Sequence, residues 1–263
     1  MAQDKGVLVD LTKCIGCGSC TVACKLWNKL DFNEEKPALG HQVKLNDKNW
    51  TIVNKKDVVT KNGEPVWRFI KQQCMHCSEP ACASACFSKA LQKDENGAVV
   101  YYPDLCVGCR YCMIACPFDV PKYEWEKPMP LVTKCQMCST RIAKGESPAC
   151  VDVCPTSVMK FGNRNDLLAE AERIVRSDNK YVRKIYGATE VGGTNWLYIS
   201  DVDFAQLGFK MNLETTPPSD YTKGYLSKVP FLAVGWGMLL TAMAVYTKRR
   251  NKLEKERDAN DHE

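Results

Sequence analysis

The N-terminal stretch MAQDKGVLVDLTK has no basic segment leading into an apolar run and no paired arginines, so the sequence predicts no signal peptide. The chain has no Walker loop, no G-x-G-x-x-G and no evident nucleophile–base pair. Those absences count against the common nucleotide-binding and hydrolytic sites and leave no substrate-pocket motif. One further absence is local: from Val229 to Thr247 there is no charged residue.

The abundant residue is cysteine. Sixteen occur in 263 residues, within a composition otherwise ordinary for one or two globular domains (45% hydrophobic, 25% charged). Without a signal for export, clustered cysteines bind metal more often than each other. They form four groups with none left over. Cys14, Cys17, Cys20 and Cys24 read C-x2-C-x2-C-x3-C, and Cys106, Cys109, Cys112 and Cys116 repeat that spacing. Cys74, Cys77, Cys82 and Cys86 read C-x2-C-x4-C-x3-C; Cys135, Cys138, Cys150 and Cys154 read C-x2-C-x11-C-x3-C. The repeat extends beyond cysteine, because VDLTKCIGCGSC and YPDLCVGCRYC share an acidic residue, a Leu and a Gly.

A [4Fe–4S] cubane needs four thiolates, one per iron, and cysteines two residues apart let a tight loop reach three corners. Gly16, Gly18 and Gly108 suit such a loop because they permit left-handed backbone and close approach. The fourth corner must come from elsewhere, since the next cysteine has moved onto the following helical turn. Zinc is the rival, but structural zinc favours two separated pairs, whereas groups one and three put three cysteines within seven residues. The formal charge of +5 also changes meaning. Sixteen thiolates around four [4Fe–4S]²⁺ cores carry about −8 together, so the loaded protein is near −3 by the same rough count. Basicity is then no argument for nucleic acid, and a zinc-stabilised nucleic-acid-binding module is the distant alternative.

Short β-prone runs (Val7 to Val9, Ala98 to Tyr102), Gly-containing loops and helical turns predict an α+β, ferredoxin-like architecture. The expected organisation is a four-cluster body over 1–162, then helix, strand and linker over 163–228, an anchor over 229–247 and a charged tail over 248–263. Within the body, residues 25–73 form an insertion whose WTIV and VWRFI flank Asn62-Gly63, predicting a hairpin with an extended loop. NRNDLLAEAERIVRS places Leu167, Leu168, Ala171, Ile174 and Val175 on one helical face after plausible capping residues. LETTPPSDYTKG reads as the linker. The uncharged stretch has 19 residues, close to the ~20 that cross a bilayer as a helix. Lys248, Arg249, Arg250 and Lys252 follow it, against Lys223 and Lys228 before it, so the positive-inside rule puts the C-terminus in the cytoplasm and the body on the other side.

The layout resembles the iron–sulfur (beta) electron-transfer subunit of membrane-bound oxidoreductases. CPFDVPKY, KCQMCSTRIAKGESPACVDVCPTSVMKFG and GGTNWLYI, followed by one apolar helix, look most like the beta subunit of respiratory formate dehydrogenase. KQQCMHC and GCRYCMIACPFDVPKYEW are as similar to the ferredoxin-like subunit of a membrane-bound nickel–iron hydrogenase. The resemblance implies two ferredoxin-like modules, from groups one and four and from groups two and three, that exchange their last cysteines. Cys14, Cys17, Cys20 and Cys154 would share one cluster, and Cys135, Cys138, Cys150 and Cys24 a second. Cys74, Cys77, Cys82 and Cys116 would share a third, and Cys106, Cys109, Cys112 and Cys86 the fourth. With all sixteen cysteines kept, four [4Fe–4S] clusters are expected. Phe87 departs from the proline that many relatives carry there.

The resemblance also implies a non-catalytic electron-transfer role. The partners would be a molybdenum or tungsten pterin catalytic subunit, or a nickel–iron hydrogenase, and a quinone-reducing cytochrome b-type membrane subunit. The body would then cross the membrane folded, with a partner carrying a twin-arginine signal. Membrane lipid would surround the C-terminal helix, which has no histidine for haem. His76 reads as a packing or hydrogen-bonding residue, Lys13, Arg110 and Lys134 as solvated or potential-raising cations, and Trp27, Trp50, Trp67 and Trp125 as core or interface aromatics.

Overall fold

In the computed structural model of the protein, residues 4–32 and 42–260 are described. In chain order the elements begin β1 (Lys5–Asp10), α1 (Ser19–Asn28), β2 (Ile52–Val59), β3 (Pro65–Gln72), α2 (Ala81–Ser84), β4 (Leu91–Lys93) and β5 (Val99–Tyr101). They continue with α3 (Tyr111–Ala115), β6 (Lys122–Tyr123), β7 (Val132–Thr133), α4 (Ser139–Ile142), α5 (Ala149–Asp152) and β8 (Met159–Asn163). The chain ends in α6 (Arg164–Ser177), β9 (Trp196–Ile199), α7 (Asp220–Leu226) and α8 (Val229–Asn260).

β1 is the middle strand of a three-stranded sheet, antiparallel to β8 and parallel to β9. Its apolar run is continuous because both faces of the sheet are covered. Val7 and Val9, with Trp196 and Tyr198 of β9, point into the core that also holds Cys20, Cys150 and Met137. Leu8, Leu197 and Ile199 point the other way, onto α6. The expected face of α6 is the packed one: Leu167, Ala171 and Val175 are buried, Leu168 and Ile174 partly so. Asn163 occupies the capping position, but its side chain does not cap; it accepts from Lys5 Nζ (2.7 Å) and donates to Asp166 (3.0 Å) instead.

The expected hairpin is β2–β3, paired antiparallel from Ile52↔Gln72 to Val59↔Pro65. The rest of the insertion's extended loop, residues 33–41, lies outside the described residues. The hairpin is tied to the body by Arg68, whose guanidinium makes a two-pronged contact with Asp201, Nε to Oδ1 being 2.8 Å. Lys61 adds a bond from Nζ to the Tyr181 carbonyl (2.7 Å). Two short hairpins, β4–β5 and β6–β7, complete the strand pairing. The first packs against Cys82 and Cys112 through Leu91, Val99 and Tyr101.

The body forms one compact unit to Ser219, and the remainder from Asp220 forms a second. The expected linker is irregular only as far as Ser219; Asp220 opens α7, clear of the Pro217-Pro218 break. α8 is one helix of 32 residues that includes the start of the charged tail. KRRNKLEKER consists largely of strong helix formers and pairs Arg250 with Glu254 at 3.5 Å, so nothing ends the helix at Thr247. The helical segment is long and apolar enough to cross a membrane, by length and composition.

Candidate metal centres

Each cysteine group is a short loop leading into a helix. Before group one, Asp10 caps a 3₁₀ turn (Leu11–Lys13) by accepting from Thr12 N at 3.0 Å. Before group three, a second 3₁₀ turn (Pro103–Leu105) takes the same place. The helix that follows carries the third cysteine: Cys20 in α1, Cys82 in α2, Cys112 in α3 and Cys150 in α5. Only α1 runs on through the fourth, Cys24; Cys86, Cys116 and Cys154 lie just past their helices.

The residue before the second cysteine is left-handed in all four groups: Gly16 (φ 72°), His76 (49°), Gly108 (70°) and Met137 (54°). Two of these are glycines, as the sequence suggests; His76 and Met137 adopt the conformation without that help. The turn aims backbone amides at sulfur, with Gly108 N to Cys106 Sγ and Met137 N to Cys135 Sγ both 3.4 Å. A second turn recurs three residues after the last cysteine, at Lys89, Asp119 and Ser157, all left-handed. Phe87 therefore leaves its turn like those that follow Pro117 and Pro155. Gly16 carries an additional constraint, because a Cβ there would lie 2.4 Å from the Phe69 ring of β3. Gly16→Ala is expected to cost 2 kcal/mol or more, as a rough figure for backbone strain plus overpacking. Thermal unfolding of the loaded protein checks this, and an unchanged midpoint would show that the loop and Phe69 yield freely.

None of the sixteen cysteines is in a disulfide. Their thiols fall into four neighbourhoods. Burial first, then the sulfurs of Cys20, Cys154 and Cys17, push the Cys14 thiol up. The same four line one cavity, the Cys14 site. Cys135 is raised by burial and then by Cys24, Cys74, Cys150 and Cys138 (the Cys135 site, with Cys74 the outsider). Cys77 is raised by burial and then by Cys74, Cys116 and Cys82 (the Cys77 site). Cys112 is pushed to about 11 by burial, Cys86, Cys106 and Cys109 (the Cys112 site).

Electrostatic influence also passes between sites and orders them as a row: Cys150 bears on Cys20, Cys74 on Cys135, and Cys112 on Cys82. Among the described residues, no three His, Cys, Asp or Glu side chains close around a single ion. A cubane needs four thiolates around one space, and Cys14, Cys17, Cys20 and Cys154 line a common cavity. Soft thiolate donors and inward-turned amides fit the same group.

His76 is fully buried, and its Nδ1 accepts from Val99 N at 2.9 Å, the hydrogen-bonding role expected of it. Burial and Lys134 hold its pKa well below the usual range. Lys134 is buried rather than solvated, donating to the carbonyls of Val99 and Cys135. Lys13 is exposed and pairs with Asp10 at 3.4 Å. Arg110 lies over Trp125, 5.0 Å from its ring. Trp27, Trp67 and Trp125 are exposed, so none of the three is a core aromatic. The sequence reading passes over Lys71 and Trp196, both buried beside the cysteine core. Their only signal is proximity to the motifs KQQC and GGTNWLYI.

Residues 13–90 and residues 65–164 each match a model described as a 4Fe-4S dicluster domain. A protein of Nitratidesulfovibrio vulgaris is 44% identical over 97% of this chain and 70% of its own length. The hydrogenase-2 operon protein HybA of Escherichia coli O157:H7 is 32% identical over 98% of this chain and 88% of its own length. A formate dehydrogenase iron-sulfur subunit of Haemophilus influenzae is also 32% identical, over 97% of this chain and 84% of its own. With relatives matched along most of their length and two dicluster domains in its own sequence, the chain belongs to the 4Fe–4S dicluster family of iron–sulfur electron-transfer subunits.

Proposed function

We propose that the protein holds four [4Fe–4S] clusters, one in each of the four sites, and connects a catalytic subunit with a membrane partner. The observation that supports the reading most is the grouping of the thiols, in which the strongest sulfur influences on Cys14, Cys77 and Cys112 come from within one set of four and weaker links join neighbouring sets. A bound [4Fe–4S] cluster takes up and releases one electron at a time, and bond chemistry is left to a partner. The chain's own residues bind and shield. Backbone amides donate to sulfur, buried lysines offset thiolate charge, and core side chains exclude water.

The two end sites support docking at the ends of the row. Cys17 of the Cys14 site and Cys109 of the Cys112 site are both exposed. Beside them stand exposed apolar residues, Ile15 (58%) and Val107 (62%), features that suit partner surfaces better than water. The relatives favour a formate dehydrogenase type of catalytic partner or a hydrogenase. The uncharged part of α8 supports a single membrane crossing beside a cytochrome b-type, quinone-reducing subunit, with the C-terminus cytoplasmic and the body outside. The chain itself then carries no catalytic site.

Anaerobic purification followed by iron and acid-labile sulfide analysis tests the proposal. About sixteen irons per chain are expected, with EPR signals of reduced [4Fe–4S] clusters. A colourless protein rich in zinc would end this reading. Gentle detergent extraction and identification of the co-purifying subunit distinguishes a pterin partner from a nickel–iron one.

A further inference from the structure

Lys71 stands on β3 with its charge buried, only 2% of the residue being exposed. Nζ donates to Thr51 Oγ1 and Gln73 Oε1, both at 2.7 Å, and lies 4.6 Å from the centre of the Trp196 ring. Gln73 is held in turn, donating to Tyr198 Oη at 2.6 Å. The ammonium is thus fixed by neutral groups. The ionisable groups that bear on it are the sulfurs of Cys150, Cys20 and Cys135 and the Tyr198 hydroxyl. Lys71 also lines the cavity of the Cys14 site. Cys20 belongs to that site and the other two sulfurs to the Cys135 site, so one cation serves two adjoining centres. Lys134 differs, because its ammonium is engaged by two backbone carbonyls.

A buried, unpaired cation is expensive unless negative charge lies opposite. At Lys71, cysteines held as thiolates around a cluster would supply that compensation. When a cluster there is reduced, its net negative charge rises by one, and a fixed cation stabilises the reduced form more than the oxidised one. We propose that Lys71 is a positioning charge that raises the reduction potentials of the clusters in the Cys14 and Cys135 sites. The inference rests on the cluster reading above. It adds a residue that ligates nothing and acts through charge alone.

The test is an EPR-monitored redox titration of the full chain in its complex, with iron counted in every sample. Lys71→Met is expected to retain iron and to lower the potentials of two of the four clusters. At fixed potential their reduced-to-oxidised ratio falls at least tenfold, a shift of about 59 mV for a one-electron couple. Lys71→Arg is expected to keep both potentials near those of the parent. Gln73→Glu, which sets a carboxylate against the ammonium with little change in shape, is expected to lower the same two. Full iron with unchanged potentials in Lys71→Met, or in Gln73→Glu where Lys71→Met fails to assemble, overturns the proposal. Loss of iron from both, with Lys71→Arg intact, overturns it too, since the charge would then serve assembly rather than potential. A parent protein without about sixteen irons fails the cluster reading instead, so the two failures are distinct.

Discussion

Cys24→Ser is expected to empty the site lined by Cys135, Cys138 and Cys150 while Cys14, Cys17 and Cys20 keep their iron. Cys24 stands one helical turn after Cys20 in α1, so its side chain is displaced along the helix from the loop that carries the first three. Its thiol is pushed to about 12, by burial first; Lys71 lowers it, and Cys150 and Cys138 raise it. The neighbouring sulfurs are thus those of group four. Serine keeps the volume but replaces a soft thiolate by a hard, protonated oxygen, a poor iron ligand in this setting. Iron should fall from about sixteen toward about twelve per chain, with one EPR signal lost. Cys154→Ser should do the reverse and damage the Cys14 site, whose cavity Cys154 lines. If Cys24→Ser instead removed the cluster of its own group, the exchange of last cysteines would be wrong.

Truncation before Val229 should move the protein from the membrane fraction to the soluble fraction without loss of iron. α8 buries none of its apolar window within the chain, and Phe231, Trp236 and Met238 are among its exposed side chains. Leu, Ile, Phe and Val each favour the bilayer centre by roughly 0.3–0.6 kcal/mol, and Phe231, Leu232, Val234, Leu239, Leu240 and Val245 supply such residues along the stretch. The uncharged 19 residues span about 28 Å as a helix, close to the hydrocarbon thickness. All sixteen cysteines lie before Ser219, in the other compact unit. Ultracentrifugation after carbonate washing, with iron measured in both fractions, checks the expectation. A truncated protein still pelleting with membranes after the wash would show that α8 is not what anchors it.

Where a signal was local, the sequence carried it. Val7-Leu8-Val9 became β1, the runs around Asn62-Gly63 became β2–β3, and the Leu167 face of α6 is the buried one. The linker was legible only to Ser219, because the proline pair marks the break but not where the next helix starts. The charged tail read as a separate segment, yet helix propensity and ion pairs one turn apart carry α8 through it. Gly16 and Gly108 announced their left-handed turns, whereas His76 and Met137 did not. A side-chain-bearing residue adopts that conformation at a cost of roughly 1–2 kcal/mol, so packing around the loop, not local preference, must hold it there.

By itself the sequence determined the donor chemistry, four groups of thiols at spacings that wrap a cluster, and an uncharged stretch long enough to cross a bilayer. Both follow from short-range facts: residue type, spacing and length. Only the tertiary structure brought Cys154 to the cavity of Cys14, Cys17 and Cys20 and set Lys71 beside them. Its ammonium is enclosed by Thr51, Gln73 and Trp196, and Trp196 arrives beside β3 only because β9 pairs in parallel with β1. No periodicity encodes such a meeting: Thr51 and Gln73 come from the neighbourhood of the same hairpin, but Trp196 comes from a strand more than a hundred residues further along the chain.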